Sequence, residues 1–162
     1  MESACRGPLL AGRYAVLRPG TGWCAAGMAR YGERDSTARL ASDMFECASR
    51  VGMRLPELFC GFDRVTGEAP VSYPVACLPQ AWAAGSVFML LQGCLGIDID
   101  AMRGCIVVEQ PVLPAEIDAL MLCDLRLPQG TIDLSLYRRG GNVQASVSRQ
   151  SGAEHLQIDL RL

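Results

Sequence analysis

The sequence predicts a mainly α chain in which helical hairpins come first and a small antiparallel β-sheet follows. Two observations carry this. Between Thr21 and Leu95, apolar residues recur at spacings of three and four or fill whole helical turns, and Gly32, Gly52 and Gly96 stand where such helices would stop. Beyond Asp100 the period drops to two, and Pro and Gly turns separate short apolar runs. The chain therefore divides into an irregular segment at residues 1–20, a helical region at 21–100 and a β-rich appendage at 101–162.

Residues 1–20 hold Gly7, Pro8, Gly12, Pro19 and Gly20 and no sustained period. Thr21 is placed to cap a short helix that runs to about Tyr31, with Gly32 as its stop. Asp35 or Ser36 then caps a second helix. Its apolar positions Ala38, Ala41, Met44, Phe45, Ala48 and Val51 form one stripe, and Gly52 ends it. The stretch 53–79 carries four prolines and two glycines and reads as a long ordered loop, a kind of segment that usually carries function. Pro79 suits the first turn of a third helix, which runs to about Leu95 and is apolar nearly all round, so burial on both sides is expected. Strands are expected at 105–109, 121–126, 131–137, 143–148 and 156–160, with Ile132, Leu134 and Leu136 on one buried face.

The 162 residues support one domain, or one small domain with an appendage. Fifteen basic residues, all Arg, against seventeen acidic ones leave no electrostatic footprint for nucleic acid or an anionic membrane surface. Eight cysteines contain no Cys-x-x-Cys pair, and His155 is the single histidine, so no metal and no other cofactor is expected. Most of these thiols lie in apolar runs and read as small hydrophobes in a reducing cytoplasm. No apolar run is long enough for a secretory signal or a membrane span.

The chemistry concentrates in the loop. Arg54-Leu55-Pro56-Glu57-Leu58-Phe59-Cys60-Gly61-Phe62 sets a carboxylate among apolar and aromatic neighbours, where poor solvation strengthens it as a base. A surface-loop glutamate is the competing reading. Arg54 and Arg64 are near enough in sequence to pair with Glu57 and oppose that effect. Tyr73 and Trp82 offer ring faces to the apolar face of a pyranose, and Gln80 offers an amide to sugar hydroxyls; Trp82 reads equally well as a core residue of its helix. Asp63, Glu68, Asp98 and Asp100 read as solvated loop carboxylates.

The run from Leu55 to Gly85 resembles the catalytic-base region near the C-terminus of bacterial amylo-alpha-1,6-glucosidase, or glycogen-debranching, proteins. These belong to the (α/α)6-barrel glycosidases that include the glucoamylases. In that group a Pro-Glu or Ala-Glu pair begins a loop, a Gly turn follows, and a Trp-Ala or Trp-Ser segment opens the next helix; Glu57, Gly67 and Trp82 fall at those places. The resemblance covers residues 24–114 and implies closing hairpins of a six-hairpin toroid. A whole toroid needs about a dozen helices of roughly 11 or 12 residues, more than this chain can supply. It also implies inverting hydrolysis of an α-glucan, with Glu57 as general base and a general acid from an upstream hairpin that has no counterpart here. Where the family carries Trp-Pro-His-Asp, this chain has Leu17-Arg18-Pro19-Gly20-Thr21. The expected partners are an α-glucan or branched oligosaccharide and the rest of the barrel on another chain. The alternative is a non-catalytic remnant, or a carbohydrate-binding or interaction module.

Overall fold

The computed structural model describes residues 20–62, 68–78, 80–152 and 156–162. The expectations placed on residues 1–19, Asp63, Arg64, Gly67, Pro79 and His155 lie outside the described residues. Among the described residues, three helices, α1 (Gly20–Arg30), α2 (Arg34–Arg50) and α3 (Ala81–Leu95), precede six strands. These are β1 (Ile97–Asp100), β2 (Cys105–Glu109), β3 (Ala119–Leu127), β4 (Gly130–Arg139), β5 (Asn142–Gly152) and β6 (Gln157–Arg161).

This overturns the expected mainly α architecture of closing toroid hairpins with one small antiparallel sheet. The helices form a single three-helix cluster, and the strands, which occupy as much of the chain as the helices do, make two three-stranded sheets. One sheet has the order β1-β2-β6 and the other β3-β4-β5. The first is mixed: β1 pairs with β2 antiparallel, whereas β6 lies parallel to β2.

The helices arise much where the apolar pattern puts them, with different ends. Thr21 lies inside the first turn of α1 rather than ahead of it. Glu33 stands at the head of α2 in place of Asp35 or Ser36, and its side chain makes no capping hydrogen bond. Thr37, fully buried, replaces that cap as the organising polar group: its hydroxyl lies 3.0 Å from the Glu33 carbonyl and 3.3 Å from the Ala25 carbonyl, joining α2 to α1. Two glycines bring α1 and α3 together. A side chain at Gly22 would meet Ser86 at 3.2 Å, and one at Gly93 would meet the Ala29 Cβ at 3.2 Å. Helix α3 is not buried on both sides as expected. Ala83, Ser86, Leu90, Gly93, Cys94 and Leu95 face inward, while Ala84, Gly85 and Phe88 are exposed; among the described residues, α1 and α2 are the helices that pack on it.

Two cores result. The helical core joins Ala25, Ala41, Met44, Leu90 and Cys94 to the loop residues Leu55 and Phe59. Burial pushes the Cys94 thiol up to about 11, which leaves it an inert hydrophobe. The second core lies between the sheets, where Ile106 and Val108 of β2 meet Ile132, Leu134 and Leu136 of β4. The expected alternation along β4 is present, with Ile132, Leu134 and Leu136 buried and Tyr137 exposed. Arg138 fastens the connection before β3 to this sheet, donating to the carbonyls of Leu113 and Pro114 at 3.1 and 3.0 Å.

The second sheet is kinked by a bulge between Leu122 and Leu125, where Asp124 takes φ 55°. Aspartate tolerates that left-handed conformation better than most residues. The Asp124 N–H donates to Asp133 Oδ1 at 2.7 Å, and Arg149 spans both carboxylates, with Nε 2.6 Å from Asp133 Oδ2. The Arg149 guanidinium beside Asp133 holds its carboxyl below the usual range. A depressed carboxylate stabilises the fold above its unfolded value, about 3.9, and loses that contribution as pH falls through the folded one. Thermal melts of the parent and Arg149→Gln should therefore differ at pH 7 and converge as pH drops below about 4. A gap that persists unchanged at pH 2.5 would show that Arg149 acts by packing instead of charge.

Candidate functional site

The Glu57 loop is built as a clasp. Residues 57–60 run antiparallel to 71–77, meeting in a bridge between Phe59 and Ser72. The Cys60 N–H donates to the Val71 carbonyl at 2.7 Å, and the Tyr73 N–H to the Leu58 carbonyl at 3.2 Å. At the open end, the Glu57 N–H donates to the Cys77 carbonyl at 3.0 Å, while Glu57 Oε2 accepts from the Cys77 N–H at 3.3 Å. Leu55, Pro56 and Phe59 are buried on either side of Glu57 and fix its backbone to the helical core. Glu57 as a residue is half-buried, but the hydrogen bond to its carboxylate is exposed, and Oε1 is the oxygen that bond does not use.

The other sequence-selected residues divide. Tyr73 lies on the same clasp and is 47% exposed, so its ring is available to a ligand. Gln80 stands at the head of α3, where its Oε1 accepts from the Ala81 N–H at 3.1 Å. That bond commits one side of the amide to capping. Trp82 is half-buried and packs against the helical core, which is the core reading of that residue. Exposed apolar side chains gather on the clasp: Phe62 at 63%, Val75 at 82% and Leu78 at 56%, together with Val71. A soluble surface seldom carries so many large apolar groups within one loop.

Comparison with known proteins finds no matching family and no matching curated relative. The reading of the site thus rests on its own chemistry.

Among the described residues, no three His, Cys, Asp or Glu side chains cluster to hold a metal ion. None of the described cysteines joins another in a disulfide. No helix among the described residues is long and apolar enough to cross a membrane. A separate open groove of about 650 Å3 lies between α1, α3 and β1. None of Glu57, Tyr73, Gln80 and Trp82 lines it. Sequence reasoning passed over Trp23 there because α1 was read as an ordinary hairpin helix; a Trp one turn ahead of Gly27, with Ala25 and Ala26 between them, was the available signal.

Proposed function

We propose that this chain contributes the general base, Glu57, to an inverting glycosidic site acting on α-glucan, and that the proton donor comes from other polypeptide. The supporting observation is the clasp. One carboxylate oxygen is held by the Cys77 N–H while the backbone is pinned by Leu55, Pro56 and Phe59, which leaves the second oxygen to orient a water molecule. Tyr73, exposed on the same clasp, supplies a ring face for the sugar. The apolar side chains of Phe62, Val75 and Leu78 supply a surface for the polypeptide that brings the acid.

This reading gives the isolated chain binding without turnover. In native gels containing glycogen it should be retarded, Tyr73→Ala should weaken retardation roughly tenfold, about 1.4 kcal/mol, and Glu57→Gln should leave it nearly unchanged because the base acts on water. Incubation with a branched oligoglucan should release no glucose. Equal migration with and without glycogen would end the carbohydrate reading. Glucose release that Glu57→Gln abolishes would instead show that the acid resides in this chain.

A further inference from the structure

The groove between α1, α3 and β1 holds a combination that the Glu57 clasp does not use. Trp23 stands on its α1 wall with 74% of its surface exposed, an arrangement that leaves a large apolar ring face in water. Gly27, one turn further along α1, also lines the groove, and a side chain added there would meet nothing within 4 Å. The space above it is open. The floor is closed, because Gly93 of α3 lies so tightly under α1 and α2 that an added Cβ would come within 3.3 Å of both Ala29 and Thr37.

The opposite wall is polar and fixed in place. Arg34 donates to the carbonyl of Glu109 and lies 3.7 Å from its Oε2, and only 15% of its side chain is exposed. Its Nε is buried and has no hydrogen-bond partner. Gln92 Nε2 donates to the Ile97 carbonyl at 3.3 Å, which turns the amide and leaves its oxygen as an acceptor. Asp98 and Arg30 complete the rim. Two cations and two carboxylates give the wall no net sign, which disfavours an anion or a cation as ligand and suits a neutral molecule rich in hydroxyls. A volume of about 650 Å3 falls in the range of roughly 300 to 1,000 Å3 usual for small-molecule sites.

We infer that this groove is a second saccharide-binding site, in which a pyranose stacks on Trp23 while its hydroxyls bond to Gln92, Asp98 and Glu109. The ligand class rests on the carbohydrate reading above, whereas the site itself rests on Trp23 and the groove. A surface site of this kind holds a glucan without taking part in the chemistry of the clasp, none of whose residues lines the groove.

Titration of the full chain with maltoheptaose, read by tryptophan emission and by calorimetry, tests this. Trp23 is exposed and Gly27 sits in open space, so neither Trp23→Ala nor Gly27→Met removes a core contact, and a methionine at 27 also improves helix propensity. A saturable blue shift is expected in the parent. Each of the two variants should bind at least tenfold more weakly at this site, and the shift should survive in Tyr73→Ala. Binding within twofold of the parent in Trp23→Ala would overturn the inference. Loss in Tyr73→Ala alone would overturn it too while leaving the clasp reading intact. Two calorimetric binding events are expected in the parent, one lost in Trp23→Ala and Gly27→Met and the other in Tyr73→Ala; a profile in which Tyr73→Ala changes neither event would support the groove and remove the clasp as a sugar site.

Discussion

Gly96→Ala is expected to cost roughly 3 kcal/mol, the sum of about 1–2 kcal/mol for placing a side chain in the left-handed region and a similar overpacking term. Gly96 has φ 58° and closes α3, with its N–H on the Gln92 carbonyl. Its own carbonyl accepts from the Glu109 N–H at 3.1 Å, so one residue ends the helix and starts the first sheet. A methyl group there would run into the Glu109 carbonyl oxygen and the Arg34 guanidinium. The guanidinium can move, but the carbonyl belongs to β2 and cannot retreat without breaking its pairing. For a chain of this size the penalty corresponds to a fall in melting temperature of roughly 10 °C. An unchanged urea midpoint would mean that the helix end can relax freely, and the joint between the two cores would have to be sought elsewhere.

Phe59→Ala should be comparably severe, at about 3–5 kcal/mol, because a ring only 1% exposed leaves a cavity that its neighbours cannot fill. The ring ties the clasp to Leu55 and to the helical core. Its loss should therefore do more than lower the melting temperature. With the anchor gone, residues 57–62 and 71–78 should become the preferred site of limited proteolysis at temperatures where the sheets remain folded. Cleavage that begins between β3 and β5 instead would contradict the assignment of Phe59 as the anchor. So would a melting temperature within a degree or two of the parent.

Local structure was legible in the sequence wherever periodicity and a stop signal agreed. The stripe of Ala38, Ala41, Met44 and Ala48 yields α2, the alternation of Ile132, Leu134 and Leu136 yields β4, and Gly96 ends α3 as expected. What failed was the weight given to helices. Ile97-Asp98-Ile99-Asp100 alternates as plainly as any strand in the chain, yet its nearness to α3 drew it into the helical region. The parallel pairing of β6 with β2 has no local signature at all, since partners 52 residues apart are chosen by the shared core and not by neighbouring side chains. At the site, Glu57 and Tyr73 could be picked out as residue types in a punctuated loop, and the clasp accounts for their nearness. The commitment of Gln80 to a helix cap and of Trp82 to the core was not legible, because either role is compatible with the first turn of an apolar helix. Trp23 escaped notice for the opposite reason: its significance depends on open space above Gly27, which only the packing of α1 against α3 creates.

The pairing of β6 with β2 also imposes an order of events. The hairpins β3-β4 and β4-β5 close over short turns, whereas β6 must cross 52 residues of chain to reach Cys105–Glu109, so loop-closure entropy makes it the later pairing. During that interval β2 has β1 on one flank and bare amides and carbonyls on the other. Self-association at that flank then competes with completion of the molecule, so the yield of refolded protein should depend on chain concentration more steeply than the stability of the finished fold would suggest.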